Sequence, residues 1–279
     1  MNVSIVIPVY NEAEHLKACL EAIAAQSIAP LEVIVVDNNS TDGTAEVAAG
    51  FSFVTALKEK KQGVVHARNR GFKAAKGEII GRIDADTLLP DDWVKKIQQI
   101  FTDKSISAVS GSAHYYDFAL AGLADRLDMK LRGRLARKLG KDNFLWGANM
   151  AVRRADWQKV SYELCTAPQI HEDFDLGIHL EDHDLKVVYD QSLLAGVSSR
   201  RVDTSFRSFV RYSLVSPRTY AVHGLKSGRH MYPVLFICWS AYFPARLIYR
   251  SYNHETGGYS LSQLLSTTSS RVDPTANVA

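Results

Sequence analysis

The stretch GRIDADTLLP, residues 81–90, sets Asp84 and Asp86 one residue apart at the end of an apolar run, Glu78 to Ile83. On extended backbone, side chains at i and i+2 point to the same side. Two carboxylates there repel each other unless something positive sits between them. Mg2+ or Mn2+ meets that need, because either takes oxygen ligands, typically one or two carboxylates with substrate phosphates completing the shell. The alternative is a solvated turn whose Asp caps the following helix. A second acidic group, His171-Glu172-Asp173-Phe174-Asp175, supplies carboxylates where a helix starts. One of them can take a proton from a hydroxyl nucleophile, or the group can do no more than answer the positive end of the helix dipole.

The elements that must position these residues read as an α/β chain. "VSIVIPV" and "LEVIVVD" are buried strands, "FSFVTAL" is a third and "EIIGRID" a fourth, ending on the acidic pair. Helical patterns fall between them. Asn11 and Glu14 have capping-box-like spacing ahead of the Leu16, Cys19, Leu20, Ile23 stripe. "GVVHARNRGFKAA" is a helix, and "DDWVKKIQQIF" is another with Pro90 at its first turn. Beyond the strand "ISAVSG", residues 119–139 form a basic helix with Leu123, Leu127, Leu131 and Leu135 at i+4 steps. "FLWGANMAVRR", "LKVVYD" and "LLAGVSS" read as strands, and "EDFDLGIHL" as a helix.

This alternation predicts a mostly parallel central sheet flanked by helices, with a C-terminal helical extension. The expected division is a catalytic unit over 1–200, its nucleotide-binding half about 1–110 and its acceptor half about 111–200. A helical extension over 201–268 and a flexible tail over 269–279 follow. Ligands of open α/β sheets bind beyond the carboxyl ends of the strands, where Asp37 and Asp84 both lie.

Composition narrows the class. With 46% hydrophobic residues in 279, the chain can bury one sizeable core, and a net charge of +3 is too small by itself to argue for nucleic acid. Its three cysteines, Cys19, Cys165 and Cys238, include no pair at metal-ligand spacing, which argues against a disulfide framework or a zinc site and fits a reducing cytosol. The apolar start lacks a basic leader and is cut by Pro8 and Asn11, unlike a signal peptide.

Taken in order, "SIVIPVYNE", "VVDNNSTDGT", "GVVHARNRG", "DADT" and "HEDFDL" resemble a family-2 inverting glycosyltransferase of the A-type, Rossmann-like nucleotide-diphospho-sugar transferase fold, over roughly residues 3–185. The resemblance implies a nucleotide-diphosphate sugar donor, Mg2+ or Mn2+ as cofactor, and an acceptor hydroxyl on a sugar, a lipid-linked sugar or a cell-envelope polysaccharide. Carried over residue by residue, it implies Asp86 as the direct metal ligand and Asp84 facing ribose or metal. Asp37 then meets the nucleoside, with Pro8, Tyr10, Glu12 and Asn39 around the donor and Arg68 and Asn69 near its diphosphate and sugar. The family's Glu-Asp pair maps onto Glu172 and Asp173, with Asp173 as the base; His171 stands where Gly is frequent, and either contacts the acceptor or is simply a surface His. Trp146, Gly147 and Asn149 resemble the loop that meets sugar and acceptor; core packing accounts for Trp146 equally well.

Two rivals stay in view. A sugar-phosphate nucleotidylyltransferase wants a Gly-rich, Arg-containing loop after the first strand, and "PVYNEAEHLK" has no Gly. A non-catalytic nucleotide-sugar-binding scaffold need not keep Asp84, Asp86 and Asp173 together. Residues 231–249 are apolar and aromatic, but Pro233, Pro244 and Arg246 make them a poor spanning helix. Beside the basic helix they form either a peripheral seat on the inner face of the cell membrane for a cytoplasmic enzyme, or a helical cover on the sheet. The Arg-rich stretch "RRVDTSFRSFVRYS", 200–213, can close over a diphosphate.

Overall fold

In the first strand, Ile5 and Ile7 face one way and Val6 the other, and all three are fully buried, so this strand must be covered on both sides. A computed structural model of the chain, describing residues 1–253 and 258–259, meets that demand. The tail expected over 269–279 and most of the extension beyond 253 lie outside the described residues.

Seven strands form one sheet: β1 (Val3–Val9), β2 (Glu32–Asp37), β3 (Val54–Lys58), β4 (Ile79–Ile83), β5 (Ile106–Tyr115), β6 (Asn149–Arg153) and β7 (Lys186–Val197). Their order is β3-β2-β1-β4-β6-β5-β7, parallel except for β6, which runs against both neighbours. Helices α1 (Ala13–Ala24) and α4 (Trp93–Ile100) cover the face carrying Ile5, Ile7 and Val35. Helices α3 (Val64–Ala74), α6 (Arg154–Val160) and α7 (Glu172–Asp182) cover the face carrying Val6, Ile34 and Ile80. A short helix, α2 (Thr44–Ala49), joins β2 to β3.

The remaining helices are α5 (Ala121–Leu139), α8 (Phe206–Ser213), α9 (Val215–Val222) and α10 (Tyr232–Ser251). Leu135, Leu139, Phe144, Ile178, Tyr220 and Met231 make a separate apolar cluster that fastens α5 and α9 to α7. The leucine row of α5 is therefore used unevenly. Leu135 is buried, whereas Leu123 and Leu127 stay exposed.

Four local expectations change. "LKVVYD" and "LLAGVSS" are one strand, β7, kept continuous through a register shift against Ser110 and Ser112. Pro90 lies ahead of α4, its carbonyl accepting the Trp93 N–H at 3.1 Å. Asn11 does not cap α1: Glu12 holds that position and the Ala13 N–H donates to Asp42 of the next loop at 3.2 Å. Residues 232–251 form a single helix, because Pro233 occupies the first turn, where no N–H is needed, and Pro244 costs one hydrogen bond without ending the run.

Candidate active site

The chain leaves β1 toward β2 on one side while β4 pairs on the other, so a crevice opens at the carboxyl ends of β1 and β4. The loops on this rim are latched together. Asn11, in the left-handed region at φ 53°, donates its N–H to Ser40 Oγ at 3.0 Å and accepts the Thr41 N–H at 2.8 Å. The Glu12 N–H donates to Thr44 Oγ1 at 2.9 Å, which fixes Glu12 over the crevice.

Asp37 ends β2, nearly buried, and accepts the Ser40 N–H at 3.0 Å, an Asx turn that holds the carboxylate at the rim. Pro8 and Tyr10 line the end of β1, half-buried. Asn39 is used differently from the expectation. Its amide donates to Lys60 O at 2.9 Å and Gln62 Oε1 at 3.0 Å, so it braces the loop after β3, as Asn38 does through Glu59 O and Lys61 O.

Asp84 and Asp86 follow β4, and each meets a guanidinium that the motif itself did not disclose. Arg82, inside β4 and 6% exposed, pairs with Asp84 Oδ1 and Glu172 Oε1, both at 3.1 Å. Arg200, from the 3-10 turn Arg200–Asp203 after β7, donates from Nε to Asp86 Oδ2 at 2.9 Å and from Nη2 to Glu12 at 2.6 and 2.8 Å. Asp86 and Glu12 thus converge their oxygens on one positive charge. That hard, anionic donor set is what Mg2+ or Mn2+ takes, so the residues present fit such an ion.

Across the crevice, α7 opens with His171 as its first flanking residue and buries Glu172 and Asp173. Asp173 accepts the Gly147 N–H at 2.7 Å and the Phe174 N–H at 2.9 Å. Burial pushes both carboxyls above their ordinary range; the Arg82 guanidinium opposes the rise at each, and the neighbouring Asp173 charge adds to it at Glu172. Arg68, only 1% exposed, sits beneath this helix start and donates to the Glu172 carbonyl at 3.1 Å. It therefore positions the acids from below, in place of reaching a diphosphate as expected. Its neighbour Asn69 is half-buried on α3.

The 146–149 segment divides. Gly147 packs so tightly on Arg82 that an added Cβ would stand 1.5 Å from its Nη1. Trp146 lies half-buried under the Arg132 guanidinium, 3.8 Å from its ring centre. Asn149 is fully buried: its amide donates to Ser112 O and Leu193 O and accepts the Trp93 indole N–H at 2.9 Å. Every polar atom of that side chain is spent bracing β6 to β5, β7 and α4, which removes it from the acceptor role expected of it. His171 is buried edge-on against Tyr212 of α8, 4.9 Å between ring centres, and its N–H donates to Thr219 of α9. The C-terminal helices thus close on the start of α7.

The structure brings Glu12, Asp37, Asp84, Asp86, Glu172 and Asp173 to one rim. It leaves Asn39, Asn149 and Arg68 in supporting places. Arg82 carried a readable signal, since a charge inside an otherwise apolar strand must be paired. Arg200 reaches Glu12 across 188 residues of sequence; the Arg-rich stretch 200–213 was visible, but nothing in it singled out this arginine or its partners.

Comparison with known proteins agrees with this architecture. The model of Glycosyl transferase family 2 matches residues 4–160, more than half of the chain. The chain is 31% identical over 159 residues to the glycosyltransferase AglE of Haloferax volcanii, covering 54% of itself and 52% of that protein. It is 33% identical over 120 residues to the glycosyltransferase GlyG of Streptococcus pneumoniae, covering 41% of itself and 40% of that protein. The chain thus spans about half the length, or less, of these curated relatives. Among solved structures, the mannosyltransferase PcManGT from Pyrobaculum calidifontis, in complex with GDP-Man and Mn2+, aligns with a TM-score of 0.61 at 19% identity, over 94% of this chain and 77% of that one. Glucosyl-3-phosphoglycerate synthase from Mycobacterium tuberculosis, in complex with Mn2+, UDP-glucose and phosphoglyceric acid, aligns at 0.56 with 19% identity, over 80% of each chain. At such identities the likeness speaks for the A-type glycosyltransferase fold. The family match over residues 4–160, on a sheet of this order with its acids gathered at one rim, makes the chain a member of glycosyl transferase family 2.

Proposed function

We propose that this chain is a metal-dependent inverting glycosyltransferase that moves a sugar from a nucleotide-diphosphate donor to an acceptor hydroxyl. The observation that carries this reading is the meeting of Glu12, Asp84 and Asp86 on one side of the crevice with the buried Glu172 and Asp173 on the other, Arg82 pairing with Asp84 and Glu172 across it. Asp37, with Pro8 and Tyr10, receives the nucleoside. Asp84 and Asp86 would hold Mg2+ or Mn2+, which would supply positive charge against a departing diphosphate. The structural relatives bound to GDP-Man with Mn2+ and to UDP-glucose with Mn2+ are consistent with such a donor.

The chain's own groups then divide the work. The acceptor oxygen attacks the anomeric carbon as the bond to the diphosphate oxygen breaks, and the acceptor proton passes to Asp173. The Gly147 and Phe174 N–H groups fix that carboxylate, while Arg82 keeps it from neutralising too early. Arg200, held at the rim by Asp86 and Glu12, is the side chain placed to pair with phosphate oxygens. Calorimetric titration of UDP and GDP, each with Mn2+ and with EDTA, tests the donor side. Binding of one nucleotide with Mn2+, weakened more than about tenfold in EDTA and in Asp86→Ala, is expected, since a lost charge-assisted contact is worth about 1.4 kcal/mol or more. No Mn2+-dependent binding of either nucleotide overturns the reading.

The acceptor side extends to a membrane. On α10, Tyr232, Phe236, Phe243 and Leu247 follow one helical face and are 51%, 68%, 62% and 58% exposed. Other side chains of the helix hold it to the domain: the Tyr242 hydroxyl donates to Thr204 O, and Arg246 and Arg250 approach Asp203 at 3.5 and 3.4 Å. Lys226–Ser251 is long and apolar enough to span a bilayer by composition, with mean hydropathy 1.2, but this anchoring to the domain favours an interfacial seat. A lipid-linked acceptor would be reached from there. The full chain is expected to float with phosphatidylglycerol vesicles, and the double variant Phe236→Ser, Phe243→Ser to stay at the bottom of the gradient while melting as wild type does. Wild type remaining at the bottom refutes the seat.

A further inference from the structure

Away from the crevice, on the far side of α7, four side chains of a different character meet. Cys165 comes from the turn after α6, Asp175 and His179 from α7 at i and i+4, and His223 from the end of α9. One donor atom from each lies within 4.8 Å of all the others. We infer that Cys165, Asp175, His179 and His223 form a structural site for Zn2+, independent of the glycosyl-transfer site.

The donor set and its spacing fit that ion. Zinc takes thiolate, imidazole and carboxylate in a tetrahedron with bonds of about 2.0–2.3 Å, which puts neighbouring donors roughly 3.3–3.8 Å apart. Here His179 Nε2 lies 3.6 Å from Asp175 Oδ1, and Cys165 Sγ lies 3.8 Å from His223 Nε2. His223 Nε2 and Asp175 Oδ1 are closer, at 2.9 Å, a hydrogen bond that a shared cation would replace. His179 Nε2 is buried and makes no hydrogen bond among the described residues, although a carboxylate oxygen stands just beyond reach. One thiolate and one carboxylate balance the two charges of the ion, so a bound zinc leaves no net charge in a half-buried place.

Outer contacts have the form such sites use. Glu163 approaches His179 Nδ1 at 3.5 Å, which turns Nε2 toward the cluster, and the Cys165 N–H holds the other Asp175 oxygen at 3.0 Å. Four protein donors complete the tetrahedron, the mark of a structural ion and not a catalytic one. Its effect would be mechanical. Asp175 is two residues from Asp173, so the ion would clamp the helix that begins with the acid pair to α9 of the C-terminal extension.

Zinc is measured by elemental analysis on the purified full chain and on Asp86→Asn, after loading and dialysis against excess Mg2+. About one zinc per chain is expected in both, falling below about a tenth in Cys165→Ser and in His223→Gln. Cobalt loaded in place of zinc is expected to give a thiolate charge-transfer band in the wild type. If Cys165→Ser fails to fold, that band decides alone. Zinc below a tenth of an equivalent in wild type, zinc retained in both variants, or cobalt without the thiolate band overturns the site.

Discussion

Asp173→Asn lowers kcat by about 10²–10⁴-fold, the range a positioned general base contributes, while Mn2+-dependent nucleotide binding stays within about twofold. The split follows from geometry. The Asp173 side chain is held by backbone N–H groups of Gly147 and Phe174, and Asn at this position keeps a carbonyl oxygen for one of them. It cannot take the acceptor proton. The side proposed to take the nucleotide, with Glu12, Asp37, Asp84 and Asp86, is left intact. A variant that keeps more than about a tenth of the wild-type rate removes Asp173 from the role of base, given the 10²-fold lower bound for such groups.

The pH profile carries the same assignment with a sign. Desolvation raises the Asp173 pKa, and the Arg82 charge pulls it back. The base works only when ionised, so kcat/KM falls as pH drops through that raised value, above the ordinary aspartate range of about 3.9. Arg82→Gln removes the opposing charge, and its acid limb is expected at higher pH than wild type. Arg82→Lys keeps a charge without the two-sided pairing and should fall between. An acid limb unmoved by Arg82→Gln means the group that titrates is not the one beside Arg82.

Much of this could be read before folding because the rim acids end strands, and strand ends are marked by where an apolar run stops. Asp37 and Asp84 are legible for that reason. The direction of β6 is not, since alternation of side chains reports a strand but never which way it runs. Nor is the continuity of β7, whose Asp190-Gln191-Ser192 breaks the apolar run as a turn would. Asn149 and Asn39 sit inside suggestive motifs yet spend their amides on backbone carbonyls and an indole; burial decided their use, and sequence does not display burial of a single amide. The Cys165, Asp175, His179, His223 group is spread over three elements, and only the i, i+4 pair on α7 had recognisable spacing.

Gly147→Ala tests whether the two halves of the site are one packed unit. A Cβ at this position would stand 1.5 Å from Arg82 Nη1, inside β4, where the guanidinium cannot swing into solvent. Either Arg82 gives up Asp84 and Glu172 or the 146–148 loop withdraws its N–H from Asp173. The first leaves a buried charge unpaired, at a cost of about 3–5 kcal/mol, or on the order of 10 °C in Tm for a chain of this size. The second unseats the base. Both abolish most activity, so stability distinguishes them, and a double-mutant cycle finds the cause. In an Arg82→Ala background the obstacle is gone, and Gly147→Ala should then cost less than about 1 kcal/mol beyond Arg82→Ala alone. Additive losses would mean that the glycine is needed for its backbone and not for the space it leaves to the guanidinium. Strong non-additivity means that a missing side chain in one loop is what lets a single arginine join the metal-side aspartate to the acids of α7.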